Sequence, residues 1–149
     1  VSSAEPYVLC ELAGTAYAVP SRAVERMEMV EQITPVPNAP AFVDGVVFSR
    51  GRVVPAVNLR LRFGFERAPY DLRTRLVVVA HAGRAVGLIV DAAREFVTIP
   101  ADVVQPAPEG LAGTSGSYLA GVATLAGKVI LILDVAAVLE HTATAAPDA

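Results

Sequence analysis

The chain carries one sequence twice. Phe42–Phe63 (FVDGVVFSRGRVVPAVNLRLRF) aligns without a gap on Tyr118–Leu139 (YLAGVATLAGKVILILDVAAVL). Gly45 falls on Gly121, Val46 on Val122, Gly51 on Gly127 and Val53 on Val129, while Arg52 meets Lys128 and Asn58 meets Asp134. Upstream, Tyr7–Arg26 tracks Leu76–Glu95, with Gly14 on Gly83, Ala16 on Ala85 and Ala23 on Ala92. Each copy reads strand, glycine turn, strand, then glycine, strand, glycine turn, strand and a short helix. One small β unit has been duplicated and must pack against itself.

Short runs rich in Val, Ile and Leu, bounded by glycine turns, predict ten strands and almost no long helix. They are Tyr7–Leu12, Thr15–Pro20, a possible strand over Met27–Thr34, Gly45–Phe48, Arg52–Val57, Arg75–His81, Ala85–Val90, Glu95–Ile99, Leu119–Leu125 and Lys128–Leu133. Ser21 can cap one helical turn before Met27, and Asn58 and Asp134 can cap the equivalent helices that follow them. Three prolines in Pro35–Pro40 cannot join a central ladder, which makes that stretch an extended surface segment or a turn. Val1–Pro6 and Thr142–Ala149 read as frayed ends, and Gln105–Ser117, rich in Pro, Gly and Ser, as the most mobile internal loop. The expected fold is all-β: two small barrels, one copy over residues 7–70 and one over 71–141. A unit of about 60 residues is marginal alone, so the copies share apolar surface and act as one body.

No apolar stretch reaches the ~20 residues a membrane helix needs, and the longest candidate, Lys128–Leu139, is interrupted by Asp134. No signal-peptide pattern heads the chain as given. The single Cys10 cannot form an internal disulfide, fits a reducing cytoplasm, and reads as a packed core thiol. Formal charge is −3, yet Arg50, Arg52, Arg60, Arg62, Arg67, Arg73 and Arg75 fall in one stretch opposed only by Glu66 and Asp71. Such a run is most often a solvated face.

Duplication supplies an internal control for what is functional. Arg50 aligns with Ala126, Arg60 with Ala136 and Arg62 with Val138. The second-copy helix is apolar nearly all round, as a buried helix is, whereas Arg60 and Arg62 alternate with Leu59, Leu61 and Phe63 and should face solvent or a partner. Phe48 and Ser49 align with Thr124 and Leu125. A phenylalanine beside a turn and flanked by arginines has the character of a binding anchor with a charged rim. Two readings stay open: Phe48 as anchor or as a residue pointing into its barrel, and Arg50 as contact residue or as a surface or ion-paired arginine.

Chemistry is hard to find. Neither His81 nor His141 has metal ligands at suitable spacing, no serine sits in a G-x-S-x-G elbow, and no Cys–His arrangement is suggested. Gly45 and Gly51 are spaced as in a phosphate loop, but no Lys-Ser/Thr follows. Asp44, Asp91 and Asp134 sit at strand edges or helix starts, where capping accounts for them. No cofactor, metal or catalytic site is expected, and the chain reads as a binding protein, not an enzyme. A nucleic-acid-binding double barrel is the alternative. The acidic total, a single lysine and no tryptophan weigh against it and favour a protein partner.

The run Ile33-Thr34-Pro35-Val36-Pro37-Asn38-Ala39-Pro40-Ala41-Phe42-Val43-Asp44-Gly45-Val46 resembles the CheW-like domain of bacterial chemotaxis. Arg50-Gly51-Arg52-Val53-Val54-Pro55 and Asn58-Leu59-Arg60 continue the resemblance, as do Val86-Gly87-Leu88-Ile89-Val90-Asp91 and Tyr118-Leu119-Ala120-Gly121-Val122. It covers roughly Tyr7 to His141 as a single CheW-like domain. It implies two SH3-like five-stranded barrels around a shared hydrophobic core, with strand exchange between them possible. It also implies a cytoplasmic adaptor between a histidine kinase's regulatory domain and the cytoplasmic tips of chemoreceptors, with no nucleic acid bound and no direct membrane insertion. The expected partner-binding residues are Val36, Phe48, Ser49, Arg50, Gly51, Arg60 and Arg62, with Val36 and its prolines walling the Phe48–Arg50 site. Kinase contact is expected to be hydrophobic and to draw on barrel-end loops, with Gly64–Thr74 and Gln105–Ser117 as candidates. The chain departs from the family pattern at Phe48-Ser49 in place of Asn-Leu, at Asn58 in place of Asp, and at Arg26 in place of Glu.

Overall fold

The computed structural model describes residues 4–106 and 118–139. Among the described residues eleven strands follow in chain order: β1 (Ala4–Leu12), β2 (Thr15–Pro20), β3 (Val24–Met29), β4 (Val43–Ser49), β5 (Arg52–Asn58), β6 (Arg75–His81), β7 (Arg84–Val90), β8 (Ala92–Pro100), β9 (Val104–Gln105), β10 (Leu119–Leu125) and β11 (Lys128–Leu133). Helix α1 (Leu59–Arg62) follows β5, and α2 (135–139) follows β11. Asn58 and Asp134 cap them as expected, accepting from the Leu61 N–H at 3.3 Å and the Ala137 N–H at 3.1 Å.

The strands form a six-stranded sheet, β8-β1-β2-β11-β10-β9, and a five-stranded sheet, β3-β6-β7-β5-β4. Each sheet therefore contains a hairpin from the other half of the chain: β1–β2 lies beside β8–β11, and β6–β7 lies among β3–β5. Each such hairpin is flanked by one antiparallel pairing, β1 with β8 or β6 with β3, and one parallel pairing, β2 with β11 or β7 with β5. Both sheets curl until their edges approach. Edge strands β8 and β9 are joined by the 3-10 turn Ala101–Val103. Edges β3 and β4 are held by side chains, with Arg26 donating to the Ser49 hydroxyl at 2.6 and 3.0 Å.

Period-two alternation splits the apolar residues among three cores. Along β6, Val77 and Val79 enter the central layer between the sheets, while Leu76 and Val78 enter the interior of the five-stranded sheet. Along β11, Leu131 and Leu133 face the central layer, and Ile130 and Ile132 fill the six-stranded sheet. Repeat-equivalent residues hold matching places in the two interiors: Tyr7 and Leu76, Ala123 and Val47, Ile130 and Val54, Ile132 and Ala56. Strands buried on both faces explain why these segments read as unbroken apolar runs.

All four tight hairpins turn through a residue pair with positive φ: Ala13-Gly14, Arg50-Gly51, Ala82-Gly83 and Ala126-Gly127. Such turns match the twist of the strands they join, which is why the glycines recur in the repeat. Gly45 and Gly121 serve a different need. A Cβ on Gly45 would stand 2.1 Å from the Thr34 carbonyl oxygen, and one on Gly121 2.8 Å from that of Gln105. At each, an extended segment that pairs with the hairpin's first strand passes close against it.

Several expected boundaries shift. Ala4–Pro6 belong to β1, where they pair with Thr98–Pro100 beyond the end of β2, so the start of this strand is anchored and not frayed. Ser21 opens a 3-10 turn, Ser21–Ala23, but no side chain caps it, and Pro20 holds the cap position. The strand expected over Met27–Thr34 is β3, which begins at Val24 and ends at Met29. Thr34 rejoins the sheet through a lone bridge to Val46, with 2.9 Å hydrogen bonds both ways, immediately before Pro35 removes the next donor. Strand β8 starts at Ala92 and not at Glu95, past a bulge against Val8–Cys10. Gln105 lies in β9, whereas the rest of the expected loop beyond Pro106, and the tail Thr142–Ala149, fall outside the described residues. Cys10 is buried in the central layer, and burial pushes its thiol up to about 12.

Candidate functional site

The β4–β5 hairpin carries an exposed apolar pair. Phe48 faces Val53 in cross-strand register, and they are 76 % and 61 % exposed. Phe48 thus points outward, resolving one open reading of the sequence. Alternation then turns Ser49 inward, and it is only 4 % exposed. Its hydroxyl lies 2.8 and 3.0 Å from the Glu28 carboxylate and accepts from Arg26. Arg26 also touches Glu28 at 3.3 Å and Glu25 at 3.4 Å, while Arg52 donates to Glu25 at 2.6 Å. Beside this saturated network Arg50 stands apart. It sits at the exposed turn with φ of 50°, and among the described residues no carboxylate reaches it. Gly51 supplies the second positive φ, 85°.

The other expected residues lie elsewhere. Val36 is 40 % exposed, but the antiparallel Thr34–Val46 bridge carries the chain from Thr34 towards Asp44, so Val36 moves away from the hairpin tip and not towards it. Arg60 grips the Asp91 carboxylate with two contacts at 2.7 Å and donates to the Glu66 carbonyl at 3.1 Å. Arg62 stacks its guanidinium 4.2 Å from the Phe42 ring centroid and 5.1 Å from that of Tyr118. Phe42 and Tyr118 are repeat equivalents, so this cation sits on the seam between the halves. The alternation along α1 led to the expectation that these arginines face solvent or a partner. It did not show that they would fold back on the protein.

Asp44 and Asp91 are not helix or strand caps as expected from their positions. Asp44 accepts from Arg67 at 2.8 Å, from Asn58 at 3.2 Å and from the Tyr70 hydroxyl. Burial alone would raise its carboxyl. The hydrogen bonds from Arg67, Tyr70 and Asn58 and the Arg67 charge outweigh that and hold it below the usual range. Burial and the Asp44 contact push Tyr70 up to about 12. Asp91 accepts the Ala13 N–H at 2.9 Å as well as Arg60, and these bonds override its burial to lower its carboxyl too. Asp91 thereby ties the β1–β2 hairpin of one sheet to α1 of the other.

A second apolar surface lies on the six-stranded sheet. Phe96, Leu125, Val129 and Leu9 line an open groove of about 840 Å³ with Lys128 at its edge. The repeat explains how this place differs from its counterpart on the five-stranded sheet. Leu125 stands where Ser49 does, Val97 where Glu28 does and Lys128 where Arg52 does, so the matching place on the five-stranded sheet is filled by the polar network. The alignment of Ser49 with Leu125 was the signal in the sequence for this groove. Among the described residues no cluster of His, Cys, Asp and Glu could hold a metal ion, and no helix is long and apolar enough to cross a membrane.

Residues 6–143 match the model of the CheW-like domain family. The chain is 27% identical over 144 residues to the chemotaxis protein CheW of Klebsiella aerogenes, covering 97% of this chain and 87% of that one. It is 27% identical to the chemotaxis protein CheW of Bacillus subtilis, covering 99% and 96%. The crystal structure of the scaffolding protein TtCheW from Thermoanaerobacter tengcongensis superposes with a TM-score of 0.82 at 27% identity, covering 89% of this chain and 90% of that one. With the two-sheet fold in common, the chain belongs to the CheW-like domain family.

Proposed function

We propose that the chain is a non-enzymatic scaffold that joins the cytoplasmic tip of a chemoreceptor to the regulatory domain of a histidine kinase in a chemosensory complex. The observation that carries this reading is the pair of exposed apolar surfaces, one on each sheet of a single tightly joined body. A scaffold needs two such faces that can be occupied together. The Phe48–Val53 hairpin with Arg50 and Gly51 at its tip is the receptor face, and the groove at Phe96 and Val129 is the kinase face. Ser49 supports the first face from beneath, whereas Arg60 and Arg62 hold the halves in register behind it. The domain acts as one unit over residues 7–141 in the cytoplasm, drawn to membrane receptors through its partners.

The nucleic-acid alternative is weakened by where the arginines go. Of the seven in the Arg50–Arg75 stretch, Arg52, Arg60, Arg67 and Arg73 are ion-paired to carboxylates, which leaves little free positive charge for a phosphate backbone. Calorimetry with the kinase regulatory domain and the receptor tip of the same organism tests the proposal. Micromolar binding of both supports it; salt-sensitive retention of RNA with neither protein bound would replace it.

A further inference from the structure

The two curled sheets treat the gap between their edges differently. In the five-stranded sheet Ser49 of β4 is tied to β3 by Arg26 and Glu28. In the six-stranded sheet Leu125 and Val97 take the places of Ser49 and Glu28, and neither side chain can make a hydrogen bond. Strand β9 pairs with β10 only at Val122 and Ala123, so among the described residues no strand covers that edge towards Leu125. The gap opens as the groove of about 840 Å³. Leu9, Ala16, Val97 and Leu125 line it and pack against the buried core inside this sheet, so the groove reaches the interior of the barrel. Phe96, 61 % exposed, also lines it.

The charges at the groove leave one cation over. Glu11 lines it but is held by Arg73 at 2.9 Å. Lys128 lines it too, and among the described residues no carboxylate comes within ion-pair distance of its ammonium. Its repeat equivalent Arg52 donates to Glu25, whereas the places of Glu25 and Arg26 are taken here by Arg94 and Glu95, one charge of each sign. A space of this size at the mouth of a barrel, with apolar walls and a single charge at its edge, has the build of a small-molecule site. We infer that the groove binds a medium-chain carboxylate. Its acyl chain lies along Leu9, Phe96, Val97 and Leu125, where each buried methylene adds to affinity. Its head meets the Lys128 ammonium, and one unpaired cation matches a singly charged acid. The groove is the face assigned above to the kinase, so the bound acid and that partner exclude each other, but the inference itself needs only the groove.

Amide chemical shifts of the full chain, titrated with decanoate below its micelle concentration, test this. Decanoate should give saturable shifts at Leu9, Ala16, Phe96, Leu125 and Lys128. Octanoate should bind about tenfold more weakly, as two fewer buried methylenes require. Decanol should bind about threefold more weakly than decanoate, the worth of one exposed ion pair, and decyltrimethylammonium more weakly still. Lys128→Gln should keep its melting temperature and bind decanoate no better than decanol. No saturable shift, shifts spread over the whole surface, equal binding of decanoate and decyltrimethylammonium, or undiminished binding to the folded variant would overturn the inference. Shifts at the same amides on raising the protein concentration alone would give the groove to a second copy of the chain and overturn it too. Decanoate that binds as described but leaves the affinity for the kinase regulatory domain unchanged would support the inference and count against the kinase face, so the two readings fail separately.

Discussion

At the scale of single residues, the chain separates arginines that hold it together from Arg50. Arg26, Arg52, Arg60, Arg67 and Arg73 each meet a carboxylate, and Arg62 meets two rings, whereas Arg50 projects from a turn. Composition could not reveal this, because a run of arginine looks the same whether its partners are internal or external. The exposure of Phe48 makes a definite prediction. Phe48→Ala should change stability by less than about 0.5 kcal/mol, the usual range at a surface position, and not by the several kcal/mol of an emptied core site. Thermal unfolding reads the difference directly. Asp91 makes the opposite prediction. Its carboxyl is held low in the fold, so its contribution is fully present above the unfolded value of about 3.9 and is lost as pH falls through the lower folded value. Asp91→Asn should cost about 2 kcal/mol at pH 7, the worth of a charge-assisted bond. It should also unfold with a shallower acid dependence below about pH 4 than the parent does. An unchanged acid limb in a denaturation series would remove Asp91 from this role.

At the scale of elements, turns were far more legible than strand partners. Ala13-Gly14, Arg50-Gly51, Ala82-Gly83 and Ala126-Gly127 announce hairpins, because a two-residue turn that follows the twist of its strands demands positive φ. The alternation within each strand likewise shows which side chains share a face. Neither signal says which hairpin lies beside which, since a buried strand looks alike from either neighbour. The β1–β2 and β6–β7 exchanges were therefore open until the register of Ile132 on Ala18 and of Asn58 on Ile89 was seen. The alignment of Gly45 with Gly121 was visible in the sequence, but its cause was not, because the extended segments at Thr34 and Gln105 are too short to carry a pattern. Gly45→Ala should be severely destabilising, about 3 kcal/mol, since its Cβ meets backbone that cannot retreat without breaking the Thr34 bridge. Gly121→Ala should cost less. Chemical denaturation of both variants checks the order, and equal stability to the parent would contradict the close approach.

At the scale of the whole molecule, the exchange of hairpins makes the halves mutually dependent. Residues 7–70 alone would lack β6 and β7, the centre of the five-stranded sheet, and residues 71–141 would lack β1 and β2. Each half should be unfolded by itself and should regain β structure when the two are mixed; circular dichroism of the separate and combined fragments would show it, and an independently folded half would contradict the topology. Joined in this way, the two sheets present their exposed surfaces in a fixed relation, and the central claim is that these surfaces serve different partners at once. Binding of the kinase regulatory domain and the receptor tip should therefore be measured on the parent, on Phe48→Ala and on Val129→Glu, each checked for retained fold. The account predicts that Phe48→Ala loses receptor affinity and keeps the kinase, while Val129→Glu does the reverse. Folded variants that lose both partners together, or neither, would contradict it.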